Sequence, residues 1–282
     1  MKNLPIGYID SGVGGLTVVK ESLKQLPNES ILYLGDNARC PYGPLSVEKV
    51  KKYTWQMVNF LSQIGIKMLV IACNTATVAA LKDIQEHLDI PVIGVVEPGS
   101  STAAQQTRNN KIGVIGTIGT IQSGAYQRHI TKFNHQAEVF SKACPPFVDY
   151  VERNELHSKE TYQVVEEYLT PLLGEGIDTL VLGCTHYPLL KPVIQQVTNA
   201  QVKLVDSGVE SVAEVTRLLE RFDLKRTDQD RKTHPIPNQF YTTGSVLEFN
   251  RIANQWFDDL SLNIKGCTIK GDEIVEINYR KS

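Results

Sequence analysis

The chain has 282 residues, of which 41% are hydrophobic and 21% charged, and its formal net charge is -2. That balance describes a globular protein of two ordinary lobes with enough apolar residues for a sizeable core. It argues against nucleic acid as the main partner, since the densest basic stretch, Lys225-Arg226 with Arg231-Lys232, is diluted by Asp223, Asp228 and Asp230.

No apolar run approaches the roughly 20 residues that span a bilayer, so no membrane partner is expected. The first residues, Met1 to Gly7, run straight into a strand-like segment without a signal-peptide core, and a cytoplasmic location is the expectation.

Short apolar segments alternate with amphipathic ones, the pattern of an α/β protein with mainly parallel sheets. In chain order the spacing predicts strands at Ile6–Ile9, Ser30–Leu34, Met68–Cys73, Val92–Val95, Ile112–Ile115, Ala137–Phe140, Thr179–Gly183, Val202–Val205 and Gln239–Thr242. Predicted helices are Leu16–Gln25, Val47–Ile64, Thr75–Leu88, Ala125–Lys132, Glu160–Leu173, Leu189–Val197 and Val209–Arg221. The charged, proline-containing stretch Asp223–Asn238 reads as an irregular surface connection.

An internal repeat organises these elements. Ile6-Gly7-Tyr8-Ile9-Asp10-Ser11 recurs as Ile112-Gly113-Val114-Ile115-Gly116-Thr117, and Cys40-Pro41 recurs as Cys144-Pro145. Val70-Ile71-Ala72-Cys73-Asn74-Thr75 recurs as Val181-Leu182-Gly183-Cys184-Thr185-His186. Three matches in one order at nearly one offset, too long for a solenoid repeat, point to two pseudo-symmetric α/β lobes with an active site at their interface. The expected division is a first lobe of 1–97 plus 207–265, completed by Gln239–Thr242 and Phe249–Leu260, a second lobe of 98–206, and a surface tail of 266–282.

The five cysteines, at 40, 73, 144, 184 and 267, form no CxxC and no cluster at zinc spacing, so no structural metal is expected and free thiols are. Cys73 and Cys184 stand apart. Each ends an apolar strand, where open α/β folds place ligands, and each precedes a polar pair that reads as a helix start. Free N–H groups there bind carboxylates and lower a thiol pKa. Packing explains a repeated apolar segment; it does not explain a repeated Cys-polar-polar. Two thiols on opposite faces of one carbon would invert a stereocentre, one removing a proton while the other delivers one.

Asp10-Ser11 closes the first strand ahead of Gly12-Val13-Gly14-Gly15, which lacks the GxGxxG spacing of a dinucleotide site. Asp10 is either a turn residue or a partner for a substrate ammonium or for Cys73. His186 beside Cys184 leaves a Cys-His hydrolase open, and paired lobes leave open an amino-acid-binding protein without catalysis.

Beyond these readings, five blocks resemble bacterial glutamate racemase within the aspartate/glutamate racemases. They are Asp10 to Gly15, Asp36 to Gly43, Ala72 to Thr77, Gly116-Thr117 with Thr120, and Gly183 to Pro188, and the likeness runs from about residue 5 to residue 265. The resemblance implies that Cys73 abstracts the α-proton of D-glutamate and Cys184 that of L-glutamate. It implies substrate contacts from Asp10, Ser11, Tyr42, Gly43, Asn74, Thr75, Thr117, Thr185 and His186. Asp10 and His186 would assist the thiols beside them, with Glu152 supporting the second. It further implies a homodimer that supplies D-glutamate for peptidoglycan. No cofactor is expected, because no lysine able to form a Schiff base lies in any of these blocks.

Overall fold

The computed structural model describes residues 1–256 and 262–277. Eleven strands form two sheets among these residues. They are β1 Ile6–Asp10, β2 Ile31–Gly35, β3 Met68–Ile71, β4 Val92–Gly94, β5 Lys111–Gly116, β6 Glu138–Ala143, β7 Thr179–Gly183, β8 Lys203–Asp206, β9 Gln239–Thr242, β10 Ile264–Lys270 and β11 Glu273–Glu276. One sheet runs β11-β10-β9-β2-β1-β3-β4 and the other β6-β5-β7-β8. Every pairing is parallel except β10 with β11.

The order β2-β1-β3-β4 recurs strand for strand as β6-β5-β7-β8. The sequence repeat is therefore a repeat of topology. β1, β3 and β7 are buried at every position, which is why they read as unbroken apolar runs: helices cover both faces of a parallel sheet. The chain passes from the first sheet to the second between β4 and β5 and returns between β8 and β9.

Several segments differ from expectation. The stretch from 266, expected as a tail, supplies most of β10 and all of β11, with Cys267 and Ile274 buried. Gly271, at φ +60, makes the tight turn between them, and Gly-Asp between two alternating runs is the local hairpin signal. Asp223–Asn238 is not irregular throughout, since Asp228–Thr233 is helical with a capping box between Thr227 and Asp230. A helix at Val96–Gln106 was hidden by Pro98 and Gly99, which lie in its first turn where the missing donor does no harm. The expected segment Phe249–Leu260 is helical over Val246–Trp256, and its last residues lie outside those described.

Arg226, read as part of a solvated basic loop, is buried. Its guanidinium donates to Ser30 Oγ at 2.9 Å and to the His234 carbonyl at 2.6 Å. Beside it Lys67, fully buried, donates to Glu29 at 2.5 Å, to the Leu224 carbonyl at 2.7 Å and to the Lys2 carbonyl at 2.9 Å. All three ammonium protons are used, which is what makes a buried charge tolerable. The cluster ties the returning chain to the starts of β2 and β3. Lys67→Met should cost about 3–5 kcal/mol, because Glu29 would stay buried without its counter-charge. Urea unfolding should show a lower midpoint with an unchanged slope.

Candidate active site

The carboxyl ends of the two sheets meet, and the loops that follow β1, β3 and β7 make the floor of one small cleft. Asp10, the last residue of β1, is completely buried. Its Oδ2 accepts the backbone N–H groups of Gly12 and Gly15 at 3.1 and 3.0 Å, fixing the glycine turn. Its Oδ1 accepts the Thr185 hydroxyl of the other sheet at 3.3 Å. Burial raises its pKa above the ordinary carboxyl value, against the pull of His186 and these donors. At Gly14 the turn lies so close to the second sheet that an added Cβ would sit 2.5 Å from Thr185 Oγ1 and 2.7 Å from His186 Nδ1. Only glycine permits that approach.

Cys73 and Cys184 both line the cleft, one after β3 and the other after β7, and both are buried. Their surroundings differ, and here the repeat breaks. Cys73 is the N-cap of the helix Asn74–His87, its sulfur accepting the Ala76 N–H at 3.4 Å and lying 3.7 Å from the Ser11 hydroxyl. The expectation that this position lowers its pKa is overturned: burial, and then Asp10, push the thiol up to about 12. One cap N–H is a smaller effect than loss of water. Cys184 has no α-helix start after it. A turn leads instead to the 3-10 segment Tyr187–Leu190 and the short helix Lys191–Val197, with Pro188 and Pro192 depriving the backbone of two donors.

A charged ring takes the place of the missing helix. His186 Nδ1 lies 3.8 Å from the Cys184 sulfur, and its Nε2 lies 2.6 Å from Glu152 Oε1. Burial opposes a charge on this imidazole, but the bonds to Cys184 and Glu152 prevail and raise its pKa to about 10. These partners favour the imidazolium over the neutral ring. The Trp256 indole packs edge-on to it at 5.9 Å.

The walls come from both sheets. Tyr42 and Gly43 lie on the first, Thr117 on the second, and the Gly119 N–H donates to the Gly43 carbonyl at 3.1 Å across the seam. The Thr75 hydroxyl meets Thr117 Oγ1 at 2.8 Å, and Thr117 donates to Thr120 at 3.0 Å. The Tyr42 hydroxyl donates to Asp36, which also accepts Arg39 Nε at 2.7 Å and the Thr243 hydroxyl at 2.7 Å. A roomier cavity of about 590 Å³ lies at the β8 edge among Arg108, Asp178, Lys191 and Lys203, and it contains none of the residues singled out by the repeat.

The family described as Asp/Glu/Hydantoin racemase matches residues 7–215. A curated glutamate racemase of Carnobacterium sp. (strain St2) is 55% identical over 264 residues, covering 93% of this chain and 98% of that protein. The crystal structure of a glutamate racemase isoform from Bacillus anthracis superposes with a TM-score of 0.90 at 42% identity, covering 97% of this chain and 100% of that one. That of the Francisella tularensis glutamate racemase in complex with D-glutamate gives 0.86 at 35% identity, covering 96% and 98%. The chain belongs to the glutamate racemase family. It is accordingly an isomerase on a two-sheet α/β fold.

Of the residues singled out in the sequence, ten line the cleft of this family member: Ser11, Tyr42, Gly43, Cys73, Asn74, Thr75, Thr117, Cys184, Thr185 and His186. Asp10 and Glu152 stand behind it, bonded to Thr185 and His186. Pro41 and Val148 also line it, and Asp36 and Thr120 hold its walls, without having been assigned roles. For Asp36 the signal was present, since it opens one of the five blocks that carry the family resemblance. Val148 carries no chemical signature and is found only by folding. Among the described residues no group of three His, Cys, Asp or Glu side chains could hold a metal ion, and no helix is long and apolar enough to cross a membrane.

The raised pKa of His186 has a consequence for stability. A folded value above the unfolded one of about 6.5 contributes stability that is complete below pH ~6.5 and is lost as pH rises through about 10. Urea unfolding of the wild type should therefore show stability falling between these limits. In Glu152→Gln that decline should be shallower, since one partner of the imidazolium has been neutralised.

Proposed function

We propose that this protein is a cofactor-independent glutamate racemase in which Cys184 and Cys73 act as base and acid on opposite faces of the α-carbon. The observation that carries this reading is the pair of buried cysteines at equivalent ends of β3 and β7, both lining one cleft. The substrate follows from the glutamate racemases it resembles, one of them crystallised with D-glutamate. Hydroxyls and amides of Ser11, Asn74, Thr75, Thr117 and Thr185, with Tyr42, Gly43 and backbone N–H groups, would hold the two carboxylates. Asp10 would act through the glycine turn and Thr185, and Glu152 through His186.

With L-glutamate bound, the Cys184 thiolate takes the α-proton and the electron pair passes into the α-carboxylate, where fixed donors stabilise it. The Cys73 thiol then delivers its proton from the other face. D-glutamate forms, leaving Cys184 as thiol and Cys73 as thiolate, and proton exchange with water restores the starting state. The reverse reaction begins with Cys73 as thiolate. In the free site Cys73 carries its proton and an imidazolium stands beside Cys184, the distribution that suits L-glutamate. Among the described residues no lysine that could form a Schiff base lines the cleft, which supports chemistry by the protein's own groups.

We read the two lobes as 1–97 with the chain returning from 207, and 98–206, and take the cleft between them as the route for substrate. The wider role proposed is cytoplasmic supply of D-glutamate for peptidoglycan, by a homodimer that acts on free amino acid, with no nucleic-acid or membrane partner. Its bacterial relatives support that role.

Incubation with glutamate in D₂O, read by circular dichroism and NMR, tests the chemistry. Wild type should lose optical rotation and gain α-deuterium with no added cofactor or metal. Cys73→Ala and Cys184→Ala should each lose racemisation by about 10²–10⁴-fold or more. Cys73→Ala should still exchange the α-proton of L-glutamate, and Cys184→Ala that of D-glutamate. Undiminished racemisation in either variant would overturn the two-base assignment.

A further inference from the structure

Tyr126 belongs to none of the blocks that point to the reaction, yet one side chain of this residue touches the flanks of both thiols. It lies in the helix Ala125–Phe133 and is 2% exposed. Its ring rests on the backbone just before Cys184: a Cβ built on Gly183 would lie 2.9 Å from Tyr126 Cε2. Its hydroxyl crosses the seam and donates to Asn74 Oδ1 at 2.6 Å, the residue just after Cys73.

Asn74 is itself 2% exposed and lines the cleft. A side-chain amide has an accepting oxygen and a nitrogen that donates twice. The oxygen is engaged by Tyr126, while Nδ2 is buried and has no partner. A buried donor left empty is costly, and an acceptor entering the cleft would remove that cost. Turning the amide over would put Nδ2 against Tyr126 and present an oxygen to any carboxylate in the cleft, which would repel it.

We propose that Tyr126 is a positioning residue that fixes the Asn74 amide with its nitrogen toward the cleft, ready for a carboxylate oxygen of the substrate. The inference rests on the glutamate reading above and adds to it a connection between the two thiol-bearing loops. Because its ring packs against Gly183, just before Cys184, and its hydroxyl bonds Asn74, just after Cys73, Tyr126 also links the two thiol-bearing loops.

The test is a double-mutant cycle of Tyr126→Phe and Asn74→Ala, read as Kd for D-glutamate by calorimetry and as kcat and KM for both enantiomers. Enantiomers have equal free energy in water, so kcat/KM must fall equally in the two directions. Tyr126→Phe keeps the ring packing and should raise Kd about tenfold, as expected for one bond to a charged group. In the Asn74→Ala background the same change should add less than about twofold, because its means of action is already gone. Wild-type affinity in Tyr126→Phe, or an equal loss in both backgrounds, would overturn the proposal. A second variant covers a Tyr126→Phe protein that fails to fold. Asn74→Asp keeps the acceptor for Tyr126 but replaces the free donor with oxygen, and should weaken binding at least tenfold; unaltered binding there overturns the proposal as well. Wild-type protein that neither binds nor racemises glutamate would instead sink the glutamate reading, and this inference with it.

Discussion

The Asp10 carboxylate is the point on which the two halves of the molecule register. One oxygen gathers two N–H groups of the glycine turn, and the other reaches a hydroxyl carried by the second sheet. Moving either sheet would strand a buried carboxylate, and the cost of an unpaired buried charge makes that arrangement stiff. The cleft depends on this contact. Gly14 lets the turn close against Thr185 and His186, and Thr117 and Gly119 complete the seam on the far wall. Few of these bonds are strong singly, but they act in parallel across one interface and share its burial.

Topology repeats in this protein, and electrostatics does not. Both thiols end equivalent strands, and a symmetric site would treat them alike. Cys73 sits at a helix cap in an environment where burial and Asp10 favour the neutral thiol. Cys184 sits beside an imidazolium whose charge is backed by Glu152. A racemase does not need identical bases, since in water the two enantiomers have the same free energy and the catalyst only has to serve both. On the two-base reading proposed above, the unequal surroundings of Cys73 and Cys184 are compatible with the reaction in both directions.

The cluster around Lys67 shows how the chain can leave the first sheet, build the second and come back. Its three acceptors belong to segments remote in sequence, at the amino terminus, ahead of β2 and in the returning connection. Arg226 adds a second buried cation to the same place. A region that reads as a solvated charge mix in fact anchors the chain's return to the first sheet, where a few charged residues are buried because their partners arrive from far along the chain.

The sequence by itself determined the strand segments of both sheets from β1 to β9, most plainly where buried parallel strands such as β1, β3 and β7 leave continuous apolar runs, and it disclosed the repeat because equivalent positions kept equivalent residue types. Cys73 and Cys184 were legible for the same reason: a polar pair after a thiol at a strand end has no explanation in packing. Tertiary structure alone decided the rest. The bond from Glu152 to His186, the reach of Tyr126 from Gly183 to Asn74 and the crossing from Asp10 to Thr185 join residues with no common local pattern. The direction of the Cys73 pKa was likewise hidden, because a helix cap is written locally whereas burial is not. Desolvation depends on everything that packs around a group, and that is settled only when the two sheets meet.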